Sequence, residues 1–126
     1  MNASLDHIHF YCGDIEKTVA YFRDIFGGKE LSRERRPNSV LVRMDIQGAT
    51  LALMAVPPES DQFDTGKGKK GLDHIGFKVK DLRVALEEVK AKGVRITQDL
   101  TVLPSGLKMA FVEGPDGIRI ELLQRD

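Results

Sequence analysis

The chain repeats itself. Leu5-Asp6-His7-Ile8-His9-Phe10 returns as Leu72-Asp73-His74-Ile75-Gly76-Phe77, and across positions 5–14 and 72–81 six of ten residues are identical. The offset, 74 − 7 = 67, is about half of the 126 residues. A repeat on this scale limits the fold to two copies of one supersecondary unit, each too small to bury a robust core alone. The segments downstream of the two copies match as well. Asp14 and Asp81 are N-cap residues, whose short carboxylates accept from the free amides of a helix start. Beyond them Ile15, Val19, Phe22 and Phe26 recur at helical spacing up to Gly27, and Leu82, Ala85, Leu86 and Val89 do so up to Gly93.

Extended segments come next in each half. The first half has 29–34, then a hairpin of 39–45 and 50–56 around Gln47-Gly48. The second has 94–99, then 108–113 and 118–123 around Pro115-Asp116-Gly117, a cluster of turn-forming residues. Each half therefore reads β-α-β-β-β. The expectation is an α+β fold, one domain over 1–126, built from modules 1–56 and 72–126 with a linker at 57–71. Lys67, Lys69 and Lys70 in that polar linker are read as solvating charge or as an attraction for an anionic substrate.

Composition narrows the function. Lys plus Arg equals Asp plus Glu at 19 each, and a net charge of zero argues against nucleic acid as the main partner. The 41% hydrophobic content suits a folded chain. The single cysteine, Cys12, excludes an internal disulfide and fits a reducing compartment. The longest apolar run, 51–56, is too short to span a membrane, and the first residues lack the pattern of a signal peptide. A cytoplasmic protein with a small-molecule substrate is expected, with no nucleic-acid or membrane partner.

Alternation along the strands separates packing residues from candidates for chemistry. Ile8, Phe10 and Cys12 share one face, and His7, His9 and Tyr11 the other. In the repeat, Ile75, Phe77 and Val79 oppose His74, Gly76 and Lys78. In the last strand Ile118, Ile120 and Leu122 pack, leaving Arg119, Glu121 and Leu123 opposite them. Glu121 is thus a carboxylate inside an apolar strand, which requires a cation or metal partner. Aligning the turn glycines Gly48 and Gly117 gives an offset of 69, so the counterpart of Glu121 is Ala52. Two histidines at matching places plus one carboxylate, His7, His74 and Glu121, form a candidate metal set. His9 has Gly76 as its counterpart and faces the same way as His7. It is read either as a substrate-contacting or proton-moving residue or as a merely exposed one. Cys12 is read as a small buried hydrophobe.

These residues resemble a known family. Leu-Asp-His-Ile followed by Asp14-Ile15 and Tyr21-Phe22-Arg23-Asp24-Ile25-Phe26-Gly27 looks like the opening of vicinal oxygen chelate proteins. Leu72-Asp73-His74-Ile75-Gly76-Phe77 and Gly114-Pro115-Asp116-Gly117-Ile118-Arg119-Ile120-Glu121-Leu122 look like their second-module signatures. The resemblance covers nearly the whole chain. It implies tandem βαβββ modules whose curved mixed sheets enclose a divalent metal (zinc, nickel, cobalt, manganese or iron). The implied ligands are His7, His74 and Glu121, and the remaining family position falls on Ala52. Glu121, a metal-bound water or His9 would shuttle protons. The implied activity is a glyoxalase- or epimerase-like lyase or isomerase working through a metal-stabilised enolate, on a thioester or thiol conjugate. A ring-cleaving Fe(II) dioxygenase, a fosfomycin-type thiol transferase and a non-catalytic binding module are the alternatives within the same resemblance. It also implies a homodimer in which His7 of one chain meets His74 and Glu121 of the other.

Overall fold

In the computed structural model, residues 1–63, 68 and 70–126 are described. Lys67 and Lys69 of the linker lie outside the described residues, and Lys70 is exposed. The elements run β1 (Ile8–Cys12), α1 (Ile15–Phe26), β2 (Lys29–Arg36), β3 (Ser39–Ile46) and β4 (Ala49–Ala55). They continue with β5 (His74–Lys78), α2 (Leu82–Ala91), β6 (Ile96–Val102), β7 (Lys108–Glu113) and β8 (Arg119–Gln124). This is the α+β architecture of two βαβββ modules that the repeat implies. The chain divides into units Met1–Asp61 and Gln62–Asp126.

In each unit the strand after the hairpin turn returns to lie parallel to the first strand. The orders are β1-β4-β3-β2 and β5-β8-β7-β6, with β1–β4 and β5–β8 parallel and the other pairs antiparallel. Asp14 and Asp81 cap as expected, accepting from the amides of Lys17 at 3.1 Å and Val84 at 3.2 Å. The start of α2 gains a second cap, because the side-chain oxygen of Gln124 in β8 accepts from the Leu82 amide at 2.8 Å. Gly27 ends α1 with φ +67°, and its amide and that of Gly28 satisfy the carbonyls of Arg23 and Phe22.

Burial alternates along β1, β5 and β8 as expected, whereas β4 and β7 are buried on both faces at Leu51–Leu53 and Ala110–Val112. Cys12, Val19, Phe22, Val42, Met44, Leu51 and Leu53 are buried in the first unit. Leu82, Leu86, Val89, Ala110, Val112, Ile120 and Leu122 are buried in the second. Two strands begin later than the sequence suggests. Val94 still donates to the Val89 carbonyl at the helix exit, so β6 starts at Ile96 rather than 94. Ile118 donates to Pro115 at 3.0 Å within the turn, so β8 starts at Arg119. Among the described residues, no helix is long and apolar enough to cross a membrane.

Candidate functional site

The parallel pairing of β5 with β8 builds the site. His74 opens β5 opposite Arg119, and Gly76 lies opposite Glu121. Residues in register project to the same face, so His74, Arg119 and Glu121 all leave the sheet on the side away from α2. There Nε2 of His74 lies 2.8 Å from Oε2 of Glu121, and Nδ1 lies 2.7 Å from Oδ2 of Asp73. The Asp73 oxygen also accepts from Nη1 of Arg119 at 2.5 Å. The guanidinium of Arg119 stands 4.1 Å over the Phe111 ring, and that ring meets His74 edge-on at 5.1 Å. The Glu121 side chain is 14% exposed against 33% for His74, so the carboxylate is the more withdrawn partner.

A carboxylate largely withdrawn from solvent needs a partner, and Glu121 has one in His74. At 2.8 Å the imidazole nitrogen and the carboxylate oxygen stand at hydrogen-bond distance. The same spacing suits a metal: ligand atoms about 2.0–2.2 Å from one ion, subtending roughly a right angle, stand about 3 Å apart. The donor types suit a divalent ion, one imidazole nitrogen and one carboxylate oxygen with a carboxylate behind the imidazole, and they supply two of the three or more protein ligands such a site uses.

Gly76 makes room for this arrangement. A Cβ on it would sit 3.5 Å from Oε2 of Glu121 and 3.3 Å from Cδ2 of Leu123. In the first unit the same register position pairs His9 with Ala52. The bulk is exchanged: a glycine beneath a glutamate in one copy, a histidine beside an alanine in the other. His9 is exposed and meets Tyr11 edge-on at 5.2 Å. His7, one residue before β1, holds Asp6 through Nδ1 at 2.7 Å. Cys12 is buried on the helix-facing side, as its alternation requires.

Among the described residues the structure brings together His74 and Glu121, and no group of three His, Cys, Asp or Glu side chains suited to a metal ion occurs. The sequence reading missed Asp73 and Asp6 as partners of the histidines. The Asp-His pair inside the repeated Leu-Asp-His was the available signal. It also left Arg119 and Phe111 without a role, since their contacts depend on strand register.

Two βαβββ modules make up the chain, and the second carries an imidazole–carboxylate pair on the sheet face away from its helix. The chain belongs to the glyoxalase/bleomycin resistance protein/dioxygenase superfamily, whose family profile matches residues 4–122. It is 28% identical over 133 residues to the probable lactoylglutathione lyase, chloroplastic, of Arabidopsis thaliana, covering 94% of this chain but 35% of that protein. The chain thus spans about a third of that relative's length. It is 27% identical over 132 residues to the probable lactoylglutathione lyase of Synechocystis sp., covering 94% of this chain and 92% of that one. Its fold matches the fosfomycin resistance protein FosX from Listeria monocytogenes complexed with Mn(II) and sulfate ion. That match has a TM-score of 0.73 at 21% identity, over 100% of this chain and 95% of that one.

Proposed function

We propose that the chain is a divalent-metal-dependent lyase or isomerase of the glyoxalase type, acting on a small oxygenated substrate carried as a thioester or thiol conjugate. The observation that carries this reading is the contact between Nε2 of His74 and Oε2 of Glu121, on an open sheet face of a chain whose relatives include proteins named lactoylglutathione lyase. His7, the repeat counterpart of His74, is the third proposed ligand. A set of two imidazoles and a carboxylate accepts zinc, nickel, cobalt, manganese or iron. Such an ion supplies Lewis-acid stabilisation of negative charge developing on two neighbouring substrate oxygens.

The chain's own residues do the rest. Asp73 orients His74 through Nδ1. The Glu121 carboxylate would take a proton on the oxygen not engaged with the ion and return it, the role of a positioned general base. Because Ala52 stands where a second carboxylate would, Glu121 has no carboxylate counterpart in the first module. His9, exposed on the same face as that position, is proposed as the second proton-moving group.

The experiment is metal analysis and turnover on purified protein, with hemithioacetal and thioester substrates. Chelation should abolish turnover and divalent metal should restore it, and His74→Ala should lower both metal content and turnover. Unchanged metal content in His74→Ala rejects the reading. Oxygen uptake with a catechol and Fe(II) would instead move the activity to ring cleavage. Ligand binding indifferent to chelators would make the chain a binding module. We propose a homodimer in which His7 of one chain serves the His74 and Glu121 of the other. Mixing His7→Ala with Glu121→Ala chains tests it: shared sites predict partial recovery of activity, and no recovery argues against sharing.

A further inference from the structure

We propose that Arg119 is the positioning residue of this site: it fixes the Asp73 carboxylate, and through it the ring of His74, so that the second module carries the preformed half of the metal centre. The inference rests on the proposed reading of His74 as a ligand, and it concerns what holds that ligand in place.

One guanidinium braces both neighbours of His74. Nη1 of Arg119 reaches Oδ2 of Asp73 at 2.5 Å, and the same oxygen lies 2.7 Å from Nδ1 of His74. Cζ of Arg119 also lies 4.1 Å from the centre of the Phe111 ring, and Phe111 packs edge-on against the His74 ring with planes at 89°. The carboxylate behind the imidazole and the aromatic ring beside it are therefore tied to a single planar group. A guanidinium stacks and donates at once, which an ammonium does not. A carboxylate anchored on both sides keeps one rotamer. It then commits Nδ1 of His74 to the back and leaves Nε2 facing Glu121.

The first module is an internal control. His7 has the same neighbour, with Nδ1 lying 2.7 Å from Oδ2 of Asp6. The position matching Arg119 is Thr50 (119 − 69), and the residue that pairs with Ala52 as Phe111 pairs with Glu121 is Arg43. No guanidinium–aromatic stack is therefore built at these positions. The Asp6 side chain is 90% exposed, against 45% for Asp73. One Leu-Asp-His sequence thus occurs twice, braced in one copy only.

The test begins with the metal-free protein. Proton–nitrogen correlation spectra of the imidazoles should show a protected Nδ1–H on His74 in the wild type. In Arg119→Met that resonance should be lost to exchange while the backbone spectrum is retained. Titration with Mn(II) or Zn(II) against a competing chelator should then show affinity reduced by about 10–100-fold, the usual effect of removing a partner behind a ligand. Arg119→Lys keeps the charge without the planar fork and should fall between the two. In an Asp73→Asn background, Arg119→Met should change affinity by less than about 2-fold, because the pair acts as one unit.

An unaltered Nδ1–H in Arg119→Met overturns the proposal. So does full affinity in Arg119→Lys, or an undiminished Arg119→Met penalty in the Asp73→Asn background. If no form of the protein binds Mn(II) or Zn(II), the metal reading fails. The metal-free spectra still decide whether Arg119 positions His74.

Discussion

Substituting Gly76 tests whether the open face is built around the Glu121 carboxylate. The backbone at Gly76 is not left-handed, so an L side chain meets no conformational penalty there. A Cβ would lie 3.3 Å from Cδ2 of Leu123 and 3.5 Å from Oε2 of Glu121. Gly76→Ala asks the tip of Leu123 for a few tenths of an ångström. The reduced freedom of the unfolded chain offsets this by about 0.4–1 kcal/mol, so its stability should stay near wild type. Gly76→Val is different. Its branching methyls extend beyond Cβ into the space that Leu123 and Oε2 of Glu121 occupy, and the carboxylate must turn off the line to Nε2 of His74. A hydrogen bond to a charged group contributes about 1.5–3 kcal/mol. With the His74 side chain 33% exposed, solvent screening reduces this to about 1 kcal/mol. That corresponds to a fall of about 3–5 °C in the unfolding midpoint. Metal affinity should drop by about 10-fold or more, because the ligand geometry itself is lost. Calorimetry and chelator competition with Mn(II) or Zn(II) measure both quantities. If Gly76→Val binds metal as tightly as the wild type, the claim that Gly76 exists to admit Glu121 is wrong.

The differences between the modules and the surface charges carry further expectations. Ala52→Glu should destabilise the protein because His9 occupies the neighbouring space. His9→Gly combined with Ala52→Glu should recover that loss, by reproducing the Gly76/Glu121 pair; thermal unfolding of the single and double variants decides. Replacing the capping Asp14 or Asp81 by alanine should cost about 1 kcal/mol each, read from denaturant midpoints. Arg33 bridges Glu16 of α1 and Glu30 of β2, and its hydrogen bond holds the Glu16 carboxyl below the usual carboxylate range. A lowered folded-state value means the contribution is present above the ordinary carboxylate range and is lost as pH falls through the folded-state value. The stability gap between wild type and Arg33→Met should therefore narrow on acidification, and a gap constant with pH would contradict the assignment.

Local chemistry made the modules legible. The caps Asp14 and Asp81, the stop at Gly27 and the alternation of Ile8, Phe10 and Cys12 are read from short windows, and the structure has each where expected. The equivalence of Ala52 and Glu121 came from aligning two glycines, and the register pairs His9 with Ala52 and Gly76 with Glu121 accordingly. Strand ends were less legible, because a helix exit borrowed Val94 and a turn borrowed Ile118. The bracing of His74 by Arg119 was not legible. It depends on β5 and β8 lying side by side in parallel at one register, a contact between residues 46 positions apart that no periodicity encodes.

Whether the imidazole–carboxylate pair of the second module holds a divalent ion is decided by crystals grown with Mn(II) and measured for anomalous scattering. A peak is expected about 2.0–2.2 Å from both Nε2 of His74 and a carboxylate oxygen of Glu121, and it should be absent in Glu121→Gln. A metal-saturated crystal with no peak there, and with the Nε2–Oε2 contact unchanged, would refute the proposed metal centre.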